Sequence, residues 1–179
     1  ENKVMYFHIM NLISNFYNEN LKKNYIKNEH IASFLKSKNI DINTIEKFNL
    51  GYSENFLGII NYLNKKGFEN QTLIDLNIFK KNSNDKVYDI YAKRIIFPIK
   101  DKLNNTIGFG GRNLEGNGPK YINSAENEFF KKRFLLYNMN NLKNVKSKLH
   151  KLFIVEGYTD VIAMDKAGFS SVAPLGTAV

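Results

Sequence analysis

Cysteine is absent from the 179 residues, so neither a disulfide nor a thiolate metal site can form within this chain. Histidine is scarce: His8, His30 and His150 stand far apart with no ligand spacing, which argues against a zinc site here. No apolar run approaches the roughly 20 residues that cross a bilayer. The opening ENKVMYFHIM has neither the basic segment nor the small-residue cleavage site of a secretion signal, and a start at Glu1 reads as an internal piece of a longer protein. No Ser-His-Asp or Cys-His arrangement points to nucleophilic catalysis. What is present is enough apolar residue for a core, 43 % of the chain, and an excess of cations, 26 Lys and Arg against 17 Asp and Glu, for a net charge of +9. Such an excess suits a polyanionic partner. A chain rich in Asn, Lys and Ile also places lysine as ordinary solvated surface, and charge alone leaves both readings open.

The first half of the chain reads as helices. Phe7, Met10, Ile13, Phe16, Tyr17 and Leu21 recur at helical spacing and predict a helix over residues 1–28. A second helix is expected over 29–38. A third follows, capped by Asp41 or Asn43 and ended by Gly51. Further amphipathic stretches cover 56–66, ending at Gly67, and 72–79, which runs into the polar loop KKNSNDK. After residue 87 the period changes. Residues 94–99 and 106–112 read as the two strands of a hairpin around an Asn-rich turn, residues 121–122 as a short strand, and 126–142 as partly helical. Residues 151–155 suit a buried parallel strand. Glu156-Gly157 is a turn, 158–167 a helix stopped by Gly168, and 171–174 a second strand: the beginning of a βαβ unit. A Lys-rich link at residues 145–150 marks the expected domain boundary.

Three places carry chemistry. Glu156 follows a parallel strand, where open α/β sheets bind ligands, and Asp160 lies one helical turn on. Two converging carboxylates there suit a hard cation such as Mg²⁺; alternatively Glu156 caps the helix and Asp160 is solvated. IGFGGR, residues 107–112, has three glycines in four residues and ends on Arg112, whose fork suits phosphate. Its alternative is a strand whose glycines relieve crowding. PKYINS, residues 119–124, offers Lys120 and Asn123 to phosphate or sugar, with Lys132 downstream in a basic cluster and Arg94 at the head of its strand; solvated surface is the alternative for Lys132 and Arg94.

Taken in order, RIIFPI, IGFGGR, PKYINS, FKKRFLLY, LFIVEGYTDVIA and APLGTAV resemble the catalytic core of the bacterial-type DNA primase (DnaG) family over about residues 30–179. The piece from Glu156 is similar to the opening of a Toprim domain, which topoisomerases, some nucleases and recombination proteins also carry; IGFGGR and PKYINS are the pieces that point to primase. The resemblance implies an α/β protein. An α+β catalytic subdomain covers 1–147, helical over 1–80 and mixed over 87–147, and the first part of a Toprim domain covers 148–179. It implies a nucleotidyltransferase that makes short RNA primers on single-stranded DNA from ribonucleoside triphosphates, with Mg²⁺ or Mn²⁺. Glu156 falls on the catalytic glutamate and, with Asp160, on the metal site. Arg94, Arg112, Lys120, Asn123 and Lys132 fall on a basic surface that holds template and nucleotide phosphates. The resemblance also implies parts outside this chain: an N-terminal zinc domain, further acidic ligands after Val179, and a C-terminal region that binds the replicative helicase. The 179-residue piece alone is then expected to be inactive. Its expected location is the cytoplasm, at the nucleoid, or an organelle of bacterial descent, with no membrane contact. Asn138 stands where the family usually has Gly, and Thr159 where Met is common. Two other readings stay open, a topoisomerase-like Toprim enzyme and a non-catalytic single-strand-binding module.

Overall fold

The computed structural model describes residues 2–145 and 151–176, so the expected boundary at 147/148 lies outside the described residues. Helix α1, Asn2–Asn24, buries Tyr6, Ile9, Met10, Ile13, Tyr17 and Leu21, one face at a spacing of three and four residues. Phe7 and Phe16, expected on that face, sit at its margin, Phe16 with its ring 4.8 Å from that of Tyr62. The helix stops short of residue 28 because Asn28 caps the next one. Its side chain accepts from the amides of His30 and Ile31 at 3.0 and 3.2 Å and starts α2, Glu29–Ser37.

Asp41 caps α3, Ile42–Phe48, through the Thr44 amide at 2.9 Å, as expected. The residue that ends α3 is Asn49, in the left-handed region at φ 51°, and not Gly51. Gly51 instead opens strand β1, Gly51–Tyr52, directly beneath α1: a Cβ there would lie 2.5 Å from the Cβ of Tyr17. Its lack of a side chain sets how closely the long helix approaches the sheet.

Helices α4, Gly58–Lys65, and α5, Asn70–Asp75, complete the helical half. The stretch expected as a polar loop forms a small hairpin, exposed β2 (Lys80–Lys81) with β3 (Val87–Tyr88), whose Val87 is buried in the core. Its turn is made locally, Asn82 accepting from the amides of Asn84 and Lys86 and Asp85 adopting φ 62°.

Strands β4, Arg94–Lys100, and β5, Thr106–Asn113, form the expected hairpin, and β6, Tyr121–Asn123, pairs outside β5. The antiparallel order is β1-β4-β5-β6. Asp101 holds the tight turn by accepting from the amides of Leu103 and Asn105. Proline is tolerated in β4 because β1 pairs only with Ile95 and Ile96, so Pro98 stands beyond β1's end, where no ladder donor is required.

Two 3₁₀ turns, Lys132–Phe134 and Met139–Val145, flank β7, Leu136–Tyr137. Strand β8 (Phe153–Ile154), helix α6 (Tyr158–Lys166) and strand β9 (Ser171–Pro174) then give the expected parallel β-α-β start, in the order β7-β9-β8. Among the described residues the apolar run expected to be buried is open: β8 pairs with β9, and Ile154 is 72 % exposed. The C-terminal unit does not stand apart. Tyr158, Val161 and Ile162 of α6 belong to the same buried cluster as Leu21, Ile45, Phe97 and Ile107. Lys47 on α3 pairs with Asp165 on α6 at 2.8 Å.

Among the described residues one acid is wholly buried. Asp89 accepts from the Tyr17 hydroxyl at 2.7 Å, the Ser53 hydroxyl at 2.6 Å and the Tyr91 amide at 2.8 Å, tying α1 to the approach to β4. Burial lifts its carboxyl to about 6, against the pull of these three donors. The folded state therefore holds this proton more tightly than the unfolded chain, and Asp89's contribution is largest in acid and is lost as pH rises through about 6. A lift of about 2 units corresponds to about 3 kcal/mol. Urea unfolding of the native chain and of Asp89→Asn should differ by a margin that moves against the native chain by about that much between roughly pH 4 and pH 7. A pH-independent difference would show that the carboxyl is not held protonated. Asp89→Ala, which strands three buried donors, should cost about 3 kcal/mol or more at any pH in that range.

Candidate functional site

The three glycines of IGFGGR are each pressed by an aromatic ring. A Cβ on Gly108 would lie 2.8 Å from the Phe130 ring, on Gly110 2.4 Å from Tyr158, and on Gly111 2.8 Å from Tyr91. Of the two readings left open, relief of crowding is the one the structure displays. The crowding at Gly110 has a consequence for the site. Tyr158, the first residue of α6, lies flat on Phe97, with centroids 4.8 Å apart and planes at 10°, and edge-on to Tyr137 at 4.7 Å. Its hydroxyl donates to Asn123 Oδ1 at 2.5 Å. Asn123 thus spends its side-chain oxygen on locating the start of α6, two residues after Glu156.

Glu156 follows β8 as expected, but it is exposed. With Asp160 it lines a broad, open depression whose other walls are Val155, Ala163 and Met164. Asp160 is the capping residue: its Oδ2 accepts from the Gly157 amide at 3.1 Å, which leaves its other oxygen and both of Glu156's available. The expected alternative had these roles the other way round. Two exposed carboxylates on one concavity are a hard-oxygen donor set that fits Mg²⁺ or Mn²⁺, and exposure spares them the cost of burying charge. Among the described residues no group of three or more acidic or histidine side chains could enclose an ion, so any such site is shared with ligands outside them.

The basic residues divide into two kinds. Arg94 is buried, 7 % exposed, and its Nη1 donates to the carbonyls of Gly111 at 3.2 Å and Pro119 at 2.9 Å. It clamps the loop that carries Lys120 onto β5. Arg112 is a different case. It is half-buried, its guanidinium lies between the rings of Phe34 at 5.6 Å and Tyr121 at 5.4 Å, and its buried Nε has no hydrogen-bond partner. The fork is held in place by ring faces while its donors remain unspent. Lys120 is exposed and precedes Tyr121. Lys132 is fixed through its backbone, whose amide donates to Glu126 Oε1 at 2.7 Å, with its side chain half-buried.

Tyr121 joins the basic and acidic groups. It pairs across from Arg112 in the β5–β6 ladder and lies 6.1 Å from the Tyr158 ring. Half-burial raises its hydroxyl above the ordinary value, the Arg112 charge and the Thr159 hydroxyl pull it down, and the Asp160 charge adds to the rise. Arg112 lies over the Tyr121 ring, and Tyr121 lies beside Tyr158, which opens the helix turn that carries Asp160, so the three share one neighbourhood. Sequence reasoning passed over Phe34, Tyr121 and Tyr158. The signal for Tyr121 was the hairpin register itself, which sets it beside Arg112; Phe34 and Tyr158 carried none beyond being apolar.

A family model described as the DNA primase catalytic core, N-terminal domain, matches residues 16–143. The DNA primase of Borreliella burgdorferi is 40 % identical over 99 % of this chain and 35 % of its own length. That of Deinococcus radiodurans is 38 % identical over 82 % of this chain and 26 % of its own. Among solved structures, the DnaG primase catalytic domain bound to ssDNA superposes with a TM-score of 0.86 at 30 % identity, covering 99 % of this chain and 57 % of that one. The Aquifex aeolicus primase, with its zinc-binding and RNA polymerase domains, gives 0.87 at 29 % identity over 100 % of this chain and 44 % of that one. This chain thus spans about a quarter to a third of the length of these curated relatives.

If Tyr158 seats α6 in the hollow of Gly110, the two positions must be coupled. Gly110→Ala should destabilise the chain by about 1–3 kcal/mol through overpacking. Tyr158→Leu, which vacates the hollow, should make the alanine nearly harmless in the double variant. Additive losses in a chemical-denaturation cycle would show that the two residues do not meet.

Proposed function

This chain belongs to the DNA primase catalytic-core family, and on that premise we propose that the whole protein synthesises short RNA primers on single-stranded DNA, with residues 153–174 forming the start of a Toprim domain. The observation that carries the reading is the convergence on one neighbourhood of Asp160, which shares an open concavity with Glu156, and Arg112, whose donors are unspent. An acid pair beside a basic fork is what nucleotidyl transfer needs: charge to hold cations, and a cation to hold phosphate.

In this reading Glu156 is the catalytic carboxylate and, with Asp160, holds Mg²⁺ or Mn²⁺ together with ligands from outside the described residues. A cation held there would supply positive charge against the triphosphate during attack by the 3′-hydroxyl and departure of pyrophosphate. Arg112 binds a phosphate oxygen from its seat between Phe34 and Tyr121. Lys120 and Lys132 contribute positive charge along the strand's path without reading bases. Arg94 and Asn123 act by holding: Arg94 fixes the Lys120 loop, and Asn123 fixes Tyr158. Ribonucleoside triphosphates are the second substrate. The replicative helicase and a zinc domain engage parts of the protein outside this chain, and the 179 residues alone lack polymerising activity. Its workplace is the nucleoid, or an organelle of bacterial descent.

In this reading Glu156 is a ligand and not a structural group, so Glu156→Gln in the full-length protein should leave the thermal melt unchanged while primer synthesis with Mg²⁺ falls by about two orders of magnitude or more. Near-normal incorporation of labelled ribonucleotide by this variant would remove Glu156 from the mechanism. The 179-residue chain should bind single-stranded DNA weakly, with a log–log salt slope of about −0.7 per phosphate contacted. Arg112→Ala should make that slope shallower by about one contact in an anisotropy titration. A slope the variant does not alter would place the phosphate contacts elsewhere.

A further inference from the structure

Along one face of β5, alternate residues each meet an aromatic ring from a different element. Gly108 lies against Phe130, Gly110 against Tyr158, and Arg112 against Phe34 of α2. Across the ladder these three residues pair with Ile99, Phe97 and Ile95, which belong to the same buried cluster as Phe34. At the first two positions the ring rests on bare backbone. At the third it meets a guanidinium.

Phe34 is itself firmly placed. It is 7 % exposed and packs in the cluster of Leu21, Ile31 and Ile45. Its carbonyl accepts from the Ser37 hydroxyl at 2.7 Å and the Lys38 amide at 3.1 Å, at the closed end of the helix that Asn28 caps. Its ring centroid lies 5.6 Å from the guanidinium carbon of Arg112, within the range at which a ring face attracts a cation. Tyr121, on the opposite side at 5.4 Å, is the more open wall, 36 % exposed.

Arg112 depends on such a seat. Its Nε is buried and has no hydrogen-bond partner, so no bond at the inner end of the group fixes the plane of the fork. Recognition falls to the two outer nitrogens, and they are aimed only if the plane is held. An arginine left free loses rotamer entropy when it grips a ligand, whereas one ordered in advance loses less. We infer that Phe34 is a positioning residue for phosphate recognition. Its ring holds the Arg112 fork ready, so a helix of the first half of the chain sets the grip of a strand residue without touching nucleic acid. The inference rests on the reading of Arg112 as a phosphate contact and adds the origin of that contact's strength.

A double-mutant cycle in the full-length protein tests it, with single-stranded DNA affinity read by anisotropy at several salt concentrations. Phe34→Leu keeps apolar burial and removes the ring face; a cooperative thermal melt checks its fold. Phe34→Met, run beside it, fills the same space with a flexible chain and should give the same shift. The Arg112 charge is still present in both, so the same number of phosphates is neutralised. Affinity should therefore fall about two- to fivefold at every salt concentration, in parallel, with the log–log slope unchanged. Arg112→Ala, by contrast, should lose slope. In the Arg112→Ala background Phe34→Leu should weaken binding no further, and Phe34→Tyr, which keeps the ring, should bind as the native protein does. An equal loss with and without Arg112 would reduce Phe34 to a core residue. Unchanged affinity, a changed slope, or a Tyr variant as weak as Leu would each overturn the inference as well. If Arg112→Ala alone alters neither affinity nor slope, the phosphate role of Arg112 fails and takes the positioning role with it, so that single variant separates the two failures.

Discussion

The seat of Tyr158 on Gly110 is the contact on which the arrangement of the site depends. One ring stacks on Phe97, meets Tyr137 edge-on, and hands its hydroxyl to Asn123. Through it the first turn of α6, and so the two carboxylates on either side of that turn, is registered against the strand that carries Arg112. The ring fits because β5 has no side chain at residue 110. The ion pairs of α3 with α6 lie at the surface and add little by comparison, since exposed pairs contribute at most about 1 kcal/mol. Apolar burial and one hydroxyl bond fix the geometry; surface charge decorates it.

The same contact explains which parts of the molecule were legible in the sequence. The β4–β5 hairpin, the Asp41 cap and the β-α-β start at β8 followed from local signals: alternation, an Asx residue before a helix, a short apolar run before Glu-Gly. Local signals failed where a distant partner decides. Gly51 read as a helix stop and proved to be the floor under Tyr17. The glycines of IGFGGR could not be assigned to ligand or to crowding without knowing that Phe130, Tyr158 and Tyr91 arrive from elsewhere. Arg94 and Arg112 both end up on one hairpin, yet one is spent on carbonyls and the other is not, and nothing in their immediate neighbours distinguishes them. The run at Phe153–Ile154 predicted burial because apolar strands usually have two covered faces; among the described residues no element covers Ile154.

Cationic residues here do three physically distinct jobs that net charge cannot separate. Arg94 is a clamp, its charge dispersed over backbone oxygens. Arg112 is a receptor, held between rings with donors unspent. Lys47 is a strut between helices. Only the second kind, with the exposed lysines, contributes to a field that an approaching polyanion experiences at short range, so the +9 overstates the charge available for recognition.

The shared core also bears on how the protein is made. Phe97, Ile107 and Gly110 leave the ribosome before Tyr158, Val161 and Ile162, which cover them. The interval from residue 110 to 158 is 48 residues. At about 5–20 residues per second that is roughly 2–10 s during which an apolar sheet face waits for its lid. The two buried clusters therefore face different hazards during synthesis. The one under α1 can close early on contacts made within the first 109 residues. The one beneath α6 stays open until translation delivers that helix, and that face is where a nascent chain of this protein would engage chaperones or its own neighbours on a polysome.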